Sequence, residues 1–190
     1  MAKKKVSKKV LERRKLLLAM LWFLVKLNLL AIPLYILLAI NFSFPEFQSF
    51  LASILGNALN ILGYPTVVED YYIGMSFGFT IATFEINMDC TAWKSMYLLA
   101  ALAIATPAKK DEKIKFLLIS LPLLFALNFA RILTTIVLAF QYGFEYLAIV
   151  HTFLWREGLI FAVVGFWYIW LRRINYNIRK LKIPFRWKFA

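Results

Sequence analysis

Cys90 and His151 are the only cysteine and the only histidine among 190 residues, and they share the chain with four basic side chains in unusual places. Most of the 23 lysines and arginines lie before Leu16, within residues 109–115, or after Leu171; Lys26, Lys94, Arg131 and Arg156 instead fall inside apolar stretches. A charge within lipid costs roughly 2.5–3.5 kcal/mol on insertion scales, so such a residue faces a polar interior or a partner and marks a candidate site. A thiol beside fixed cations is favoured as its thiolate, the form that acts as a nucleophile. Nucleophilic chemistry is therefore the first reading of Cys90, Lys94 and Arg131, with His151 the one side chain that titrates near neutral pH.

The background in which these residues sit is a membrane protein. An apolar content of 62% and a mean hydropathy of +0.70 exceed the 45–50% or so usual for soluble domains. The net charge of +13 comes from basic blocks that flank hydrophobic stretches, the pattern of cytoplasmic loops facing anionic lipid. No nucleic-acid-binding signature accompanies that charge. Residues 16–41 follow a basic arm but are too long for a signal-peptide core of about 7–15 residues, and no small-residue cleavage site follows, so they read as an uncleaved anchor. One cysteine excludes an intramolecular disulfide, and no zinc-ligand spacing or cofactor motif is present.

Four stretches, 16–41, 90–108, 116–140 and 147–171, are candidates to cross a hydrocarbon core, which takes about 20 helical residues. The expected fold is a single all-α polytopic membrane domain over residues 1–190. It has a basic cytoplasmic arm (1–15), an extracytoplasmic cap (42–89) and a basic cytoplasmic tail (172–190). The outer segments 42–89 and 141–146 contain no lysine or arginine, as the positive-inside rule requires. In the cap, Phe47, Phe50, Leu51, Ile54, Leu55, Ala58, Leu59 and Leu62 recur at helical spacing, predicting an amphipathic helix lying in or dipping into the outer interface. Gly63-Tyr64-Pro65 should stop it. Runs 66–73 and 79–88 flank a glycine-containing stretch, 74–78, and predict a short β-hairpin over the bundle mouth.

On this layout Cys90 opens the second span at its outer end. With a helical rise of 1.5 Å per residue, Arg131 stands about 22 Å above the inner start of the third span and His151 about 6 Å below the outer start of the fourth. All three come to the outer third of the bilayer. A thiol at a helix N-terminus meets the positive end of the helix dipole, and Lys94, four residues on, would share its face. Singly, each has a plainer reading: Cys90 as a small buried apolar side chain, Arg131 as a snorkelling cation with Asn128 beside it at i−3, His151 as an interfacial ring.

Three local strings tip the balance. Cys90-Thr91-Ala92-Trp93-Lys94-Ser95, Asn128-Phe129-Ala130-Arg131, and His151 followed by Gly158 resemble, in order and spacing, the motifs of the exosortase and archaeosortase family over about residues 45–171. Ala92 stands where many members have glycine. The resemblance implies a membrane-embedded cysteine transpeptidase. Its partners would be exported proteins with a C-terminal motif, a transmembrane helix and a basic tail, with a lipid or water as acyl acceptor. Cys90, Arg131 and His151 are then catalytic, with Lys94, Asn128, Thr91 and Trp155 supporting, no metal and no cofactor, in the plasma membrane beside its lipids. Cys90 would form the thioester, Arg131 stabilise the oxyanion and His151 move the proton.

The rival is a small transporter component or assembly factor, which predicts polar residues through the inner half of the bundle; residues 97–105 and 116–127 offer little beyond Ser120. Lys26 is expected to pair with Glu157 near the midplane, with Arg156 and Asn28 nearby. Glu85 and Asp89 could meet a cation or a basic substrate group, or form a solvated hairpin face.

Overall fold

The protein is described by a computed structural model covering residues 8–77, 80–143 and 156–180. It is mostly helical, with one small sheet. In chain order the elements are α1 (Lys8–Ala39), α2 (Pro45–Ile61), β1 (Thr66–Glu69), β2 (Tyr72–Phe77), β3 (Thr80–Glu85), a 3-10 turn (Met88–Thr91), α3 (Trp93–Ala105), α4 (Lys110–Tyr142) and α5 (Arg156–Lys180). Within α1, residues Leu17–Ala39 are long and apolar enough to cross a membrane, and so is α4; α3, with 13 residues, is shorter. Ala92 in the left-handed conformation (φ 58) starts α3 late, and Thr106, extended before Pro107, ends it early. The helix therefore occupies only part of the predicted stretch 90–108. Of the predicted fourth stretch 147–171, the part before Arg156 lies outside the described residues.

Two hydrophobic cores meet end to end. One joins α1, α3, α5 and the first half of α4 through residues such as Leu99, Leu102, Leu124 and Val163, with Phe23 and Trp167 stacked at its edge (5.7 Å). Tyr97 Oη donates to Leu30 O (2.6 Å) and Trp167 Nε1 to Thr106 Oγ1 (2.9 Å), tying α1 and α5 to opposite ends of α3. The second core joins α2, the sheet and the later half of α4 through Leu51, Leu55, Ile73, Ile86 and Ile132.

The cap differs from expectation in two ways. Helix α2 does not lie flat across the bundle: Phe47 meets Phe125 (6.1 Å) and Tyr64 meets Phe140 (5.1 Å), so α2 runs alongside the later half of α4 and in the same direction. Its buried stripe is Leu51, Ala52, Leu55, Gly56 and Leu59, while Phe50 and Leu62 from the predicted stripe are exposed. Gly56 belongs to the buried face because Val68 of β1 occupies the space that a Cβ would need.

The hairpin is instead a three-stranded antiparallel sheet of order β1-β2-β3. Glu69 pairs with Tyr72 across a tight turn in which Asp70 takes φ 52, a conformation that aspartate tolerates. Gly74, predicted in the turn, lies in mid-strand opposite Val67 and Thr83.

Candidate active site

Cys90 sits on the 3-10 turn where the two cores meet. Its side chain packs against the core formed by α2 and α4, while Ala92, two residues on, belongs to the core of the helical bundle. Several local bonds shape the turn. Asn87 caps it, its Oδ1 accepting from the Cys90 N–H (3.1 Å), and Thr91, fully buried, donates Oγ1 to Met88 O (2.7 Å). Gln48 of α2 reaches over to donate to Ile86 O (3.0 Å), anchoring the approach from β3.

The bond that joins the turn to another helix comes from Asn128. This residue is fully buried in α4, and its Nδ2 donates to Cys90 O at 2.6 Å. Its Oδ1 has no hydrogen-bond partner among the described residues, and neither does Trp93 Nε1. Arg131, one turn further along α4, brings its positive charge within electrostatic reach of the thiol. The spacing of Asn128 and Arg131 in the sequence thus becomes one helix face that holds the cysteine's backbone and sets a cation beside its sulfur.

The expectation of a thiol on a helix N-terminus is corrected here. Cys90 lies in the 3-10 turn and α3 begins only at Trp93, so the dipole of a long helix does not act at the sulfur. Burial is the main influence and pushes the thiol above its ordinary range. A backbone hydrogen bond from Asn87 and the charge of Arg131 pull it down, and Asp89 and Glu85 push it up.

Lys94 does not share a face with Cys90 either, because left-handed Ala92 interrupts the helix between them. Lys94 Nζ instead pairs with Asp89 Oδ1 (2.6 Å) in an exposed ion pair, with side chains 45% and 67% accessible. Asp89 therefore holds a basic group of its own chain. Lys26 lies within electrostatic reach of Lys113, whose Nζ donates to Ile104 O (2.7 Å), which sets it toward the α4 start of the bundle rather than its middle. His151 and Trp155, and the side chains of Arg156 and Glu157, lie outside the described residues.

Sequence reasoning passed over Asn87, although an asparagine three residues before the cysteine is a readable capping signal. It also missed Gln48, whose role depends on a contact 38 residues away. A cleft of about 310 Å³ opens between the end of α1 (Leu38, Phe42) and Asn87, Asp89 and Trp93; Cys90 does not line it.

A sequence model of the transmembrane exosortase family matches residues 14–171 of this chain. Searches of curated proteins and of solved structures found no match.

Proposed function

The chain belongs to the transmembrane exosortase family, and from that premise we propose that it is a membrane cysteine transpeptidase that cleaves C-terminal sorting signals of exported proteins. The observation that carries the reading is the fastening of Cys90 to α4: Asn128 grips its carbonyl and Arg131 lends its charge to the sulfur. A purely structural cysteine needs neither.

The proposed topology has four spans, formed by α1, α3, α4 and the segment that includes α5, in the plasma membrane with both termini cytoplasmic. From Lys110 to Asn128 a helix rises about 27 Å, close to the roughly 30 Å of a hydrocarbon core. That distance supports setting Cys90 at the outer boundary. The rest of α4, with α2 and the sheet around it, then forms the extracytoplasmic cap.

In this reading the substrate's own transmembrane helix lies beside the bundle and presents the peptide just outside it. Because burial keeps the thiol protonated at rest, a base must act before attack, and His151 is assigned that role. Cys90 Sγ then bonds to the scissile carbonyl carbon, and the oxygen takes the negative charge beside Arg131. Collapse breaks the C–N bond, His151 returns the proton to the departing amine, and the thioester remains. A lipid-borne nucleophile or water displaces the sulfur, which regains a proton. Lys94, Thr91 and Trp155 are assigned supporting roles.

The polar groups of the inner bundle favour this reading over a transport role. Ser120 Oγ donates to Phe116 O (2.7 Å), and Thr106 Oγ1 donates to Leu102 O (2.7 Å) while accepting from Trp167 Nε1, so each is consumed by bonds within or between helices rather than lining a path. The test is processing of a sorting-signal substrate in cells that make equal amounts of each variant. Cys90→Ala should abolish processing, and a mass-trapped acyl adduct should appear on the wild-type cysteine alone. Undiminished processing by Cys90→Ala would end the enzyme reading.

A further inference from the structure

The strand that leads into the cysteine turn, β3, has one edge without a strand partner among the described residues. Ile86 N–H donates to Tyr71 O (2.9 Å), so the N–H of Ile86 faces β2, while its carbonyl accepts from Gln48. In an antiparallel strand the backbone polar groups of successive residues alternate between edges. Phe84 and Ala82 therefore also face β2, and Ile81, Thr83 and Glu85 turn their N–H and C=O groups outward. Among the described residues those outward groups have no hydrogen-bond partner.

The other edge of the sheet is covered, since Thr66 on β1 is bonded to Gly56 O and to Asn60 of α2. Exposed edges are usually guarded by lysine, proline or a bulge. Strand β3, Thr-Ile-Ala-Thr-Phe-Glu, has no lysine or proline, and Ile81 stands 78% accessible on it.

We infer that β3 is the recognition strand of the site, pairing with an extended segment of the substrate polypeptide immediately N-terminal to the cleaved bond. The inference rests on the transpeptidase reading above. Unmatched backbone groups in β register are complementary to another extended chain and to little else, and strand addition is a common mode of peptide capture.

Direction and reach select the segment. Strand β3 runs from the cap toward Cys90, and an exported protein that enters the membrane at its C-terminal helix runs the same way, so the two strands pair in parallel. Cys90 lies five residues past Glu85, at most about 17 Å of extended chain. A substrate strand paired with residues 81–85 therefore brings its next four to six residues to the sulfur. The backbone supplies affinity independent of sequence, and alternate substrate side chains meet the exposed face that carries Ile81, Thr83 and Glu85.

The test substitutes proline singly at each of about ten substrate positions upstream of the cleaved bond and measures processing by the full-length enzyme in membranes. Loss should alternate with a period of two, about tenfold at the positions whose N–H faces β3, the effect of losing one or two backbone bonds. On the enzyme, Thr83→Pro removes an outward N–H and spares the ladder to β2. It should raise KM about tenfold and leave the rate of Cys90 alkylation unchanged. If Thr83→Pro fails to insert, the substrate scan decides alone. A flat scan, with processing still dependent on Cys90, overturns the edge pairing only; processing that survives Cys90→Ala overturns the transpeptidase reading beneath it.

Discussion

Replacing Asn128 with leucine separates a positioning role from a merely structural one, because two buried polar terms of opposite sign meet at that side chain. The wild-type Nδ2 holds Cys90 O at 2.6 Å, and removing it leaves a part-buried carbonyl without its donor, at a cost of about 1–3 kcal/mol. The wild-type Oδ1 is itself buried and unpartnered among the described residues, so removing it relieves a penalty of similar size. Leucine keeps the branched skeleton of asparagine and leaves no cavity, and its bulkier methyl groups add an overpacking cost of about 1 kcal/mol. Global stability should therefore change by no more than about 1–2 kcal/mol, while the cysteine turn loses about 1–3 kcal/mol of local restraint. If productive attack requires that restraint, processing falls by about 10- to 100-fold, since 1.4 kcal/mol is a factor of ten. Thermal unfolding in detergent reads the first quantity, and processing of a sorting-signal substrate at matched expression reads the second. An unfolding midpoint that drops together with activity would show that Asn128 merely holds the fold, and unchanged processing would refute the positioning argument outright.

Alkylation of Cys90 should show an inflection above the free-thiol value of about 8.5, and the sign of each neighbour can be read separately: Arg131→Ala moves the inflection up and Asp89→Asn moves it down. Arg131→Lys keeps the charge but loses the planar donor fork, so processing should fall sharply while insertion is normal. His151→Arg should be inactive, because arginine cannot take a proton from a thiol that burial keeps protonated; substantial activity would mean that Cys90 ionises without a base. Gly56→Ala forces a methyl group against Val68 where α2 meets β1 and should destabilise the cap by about 1–3 kcal/mol, seen as a lower melting temperature of the purified protein. With Cys90 replaced by alanine, a cysteine at position 112 should be labelled only from inside the cell and one at position 69 only from outside.

The membrane character and the family strings were legible in the sequence because each is a one-dimensional pattern. Apolar length, placement of lysine and arginine, and short spacings such as Asn128 to Arg131 or Cys90 to Lys94 survive without coordinates. The last of these misled, since spacing implies a shared face only while the helix is unbroken, and left-handed Ala92 breaks it. The stop of α2 at Gly63 was also readable, because φ 88 suits glycine alone. The orientation of α2 was not: its apolar stripe fits an interface as well as a protein core, and only the meetings of Phe47 with Phe125 and Tyr64 with Phe140 set it upright. The same holds for the sulfur. A helix N-terminus and two cations suggested an ionised thiol, but whether burial outweighs charge depends on what packs around Cys90, and the tertiary structure decides for burial by closing α2 and α4 over the turn.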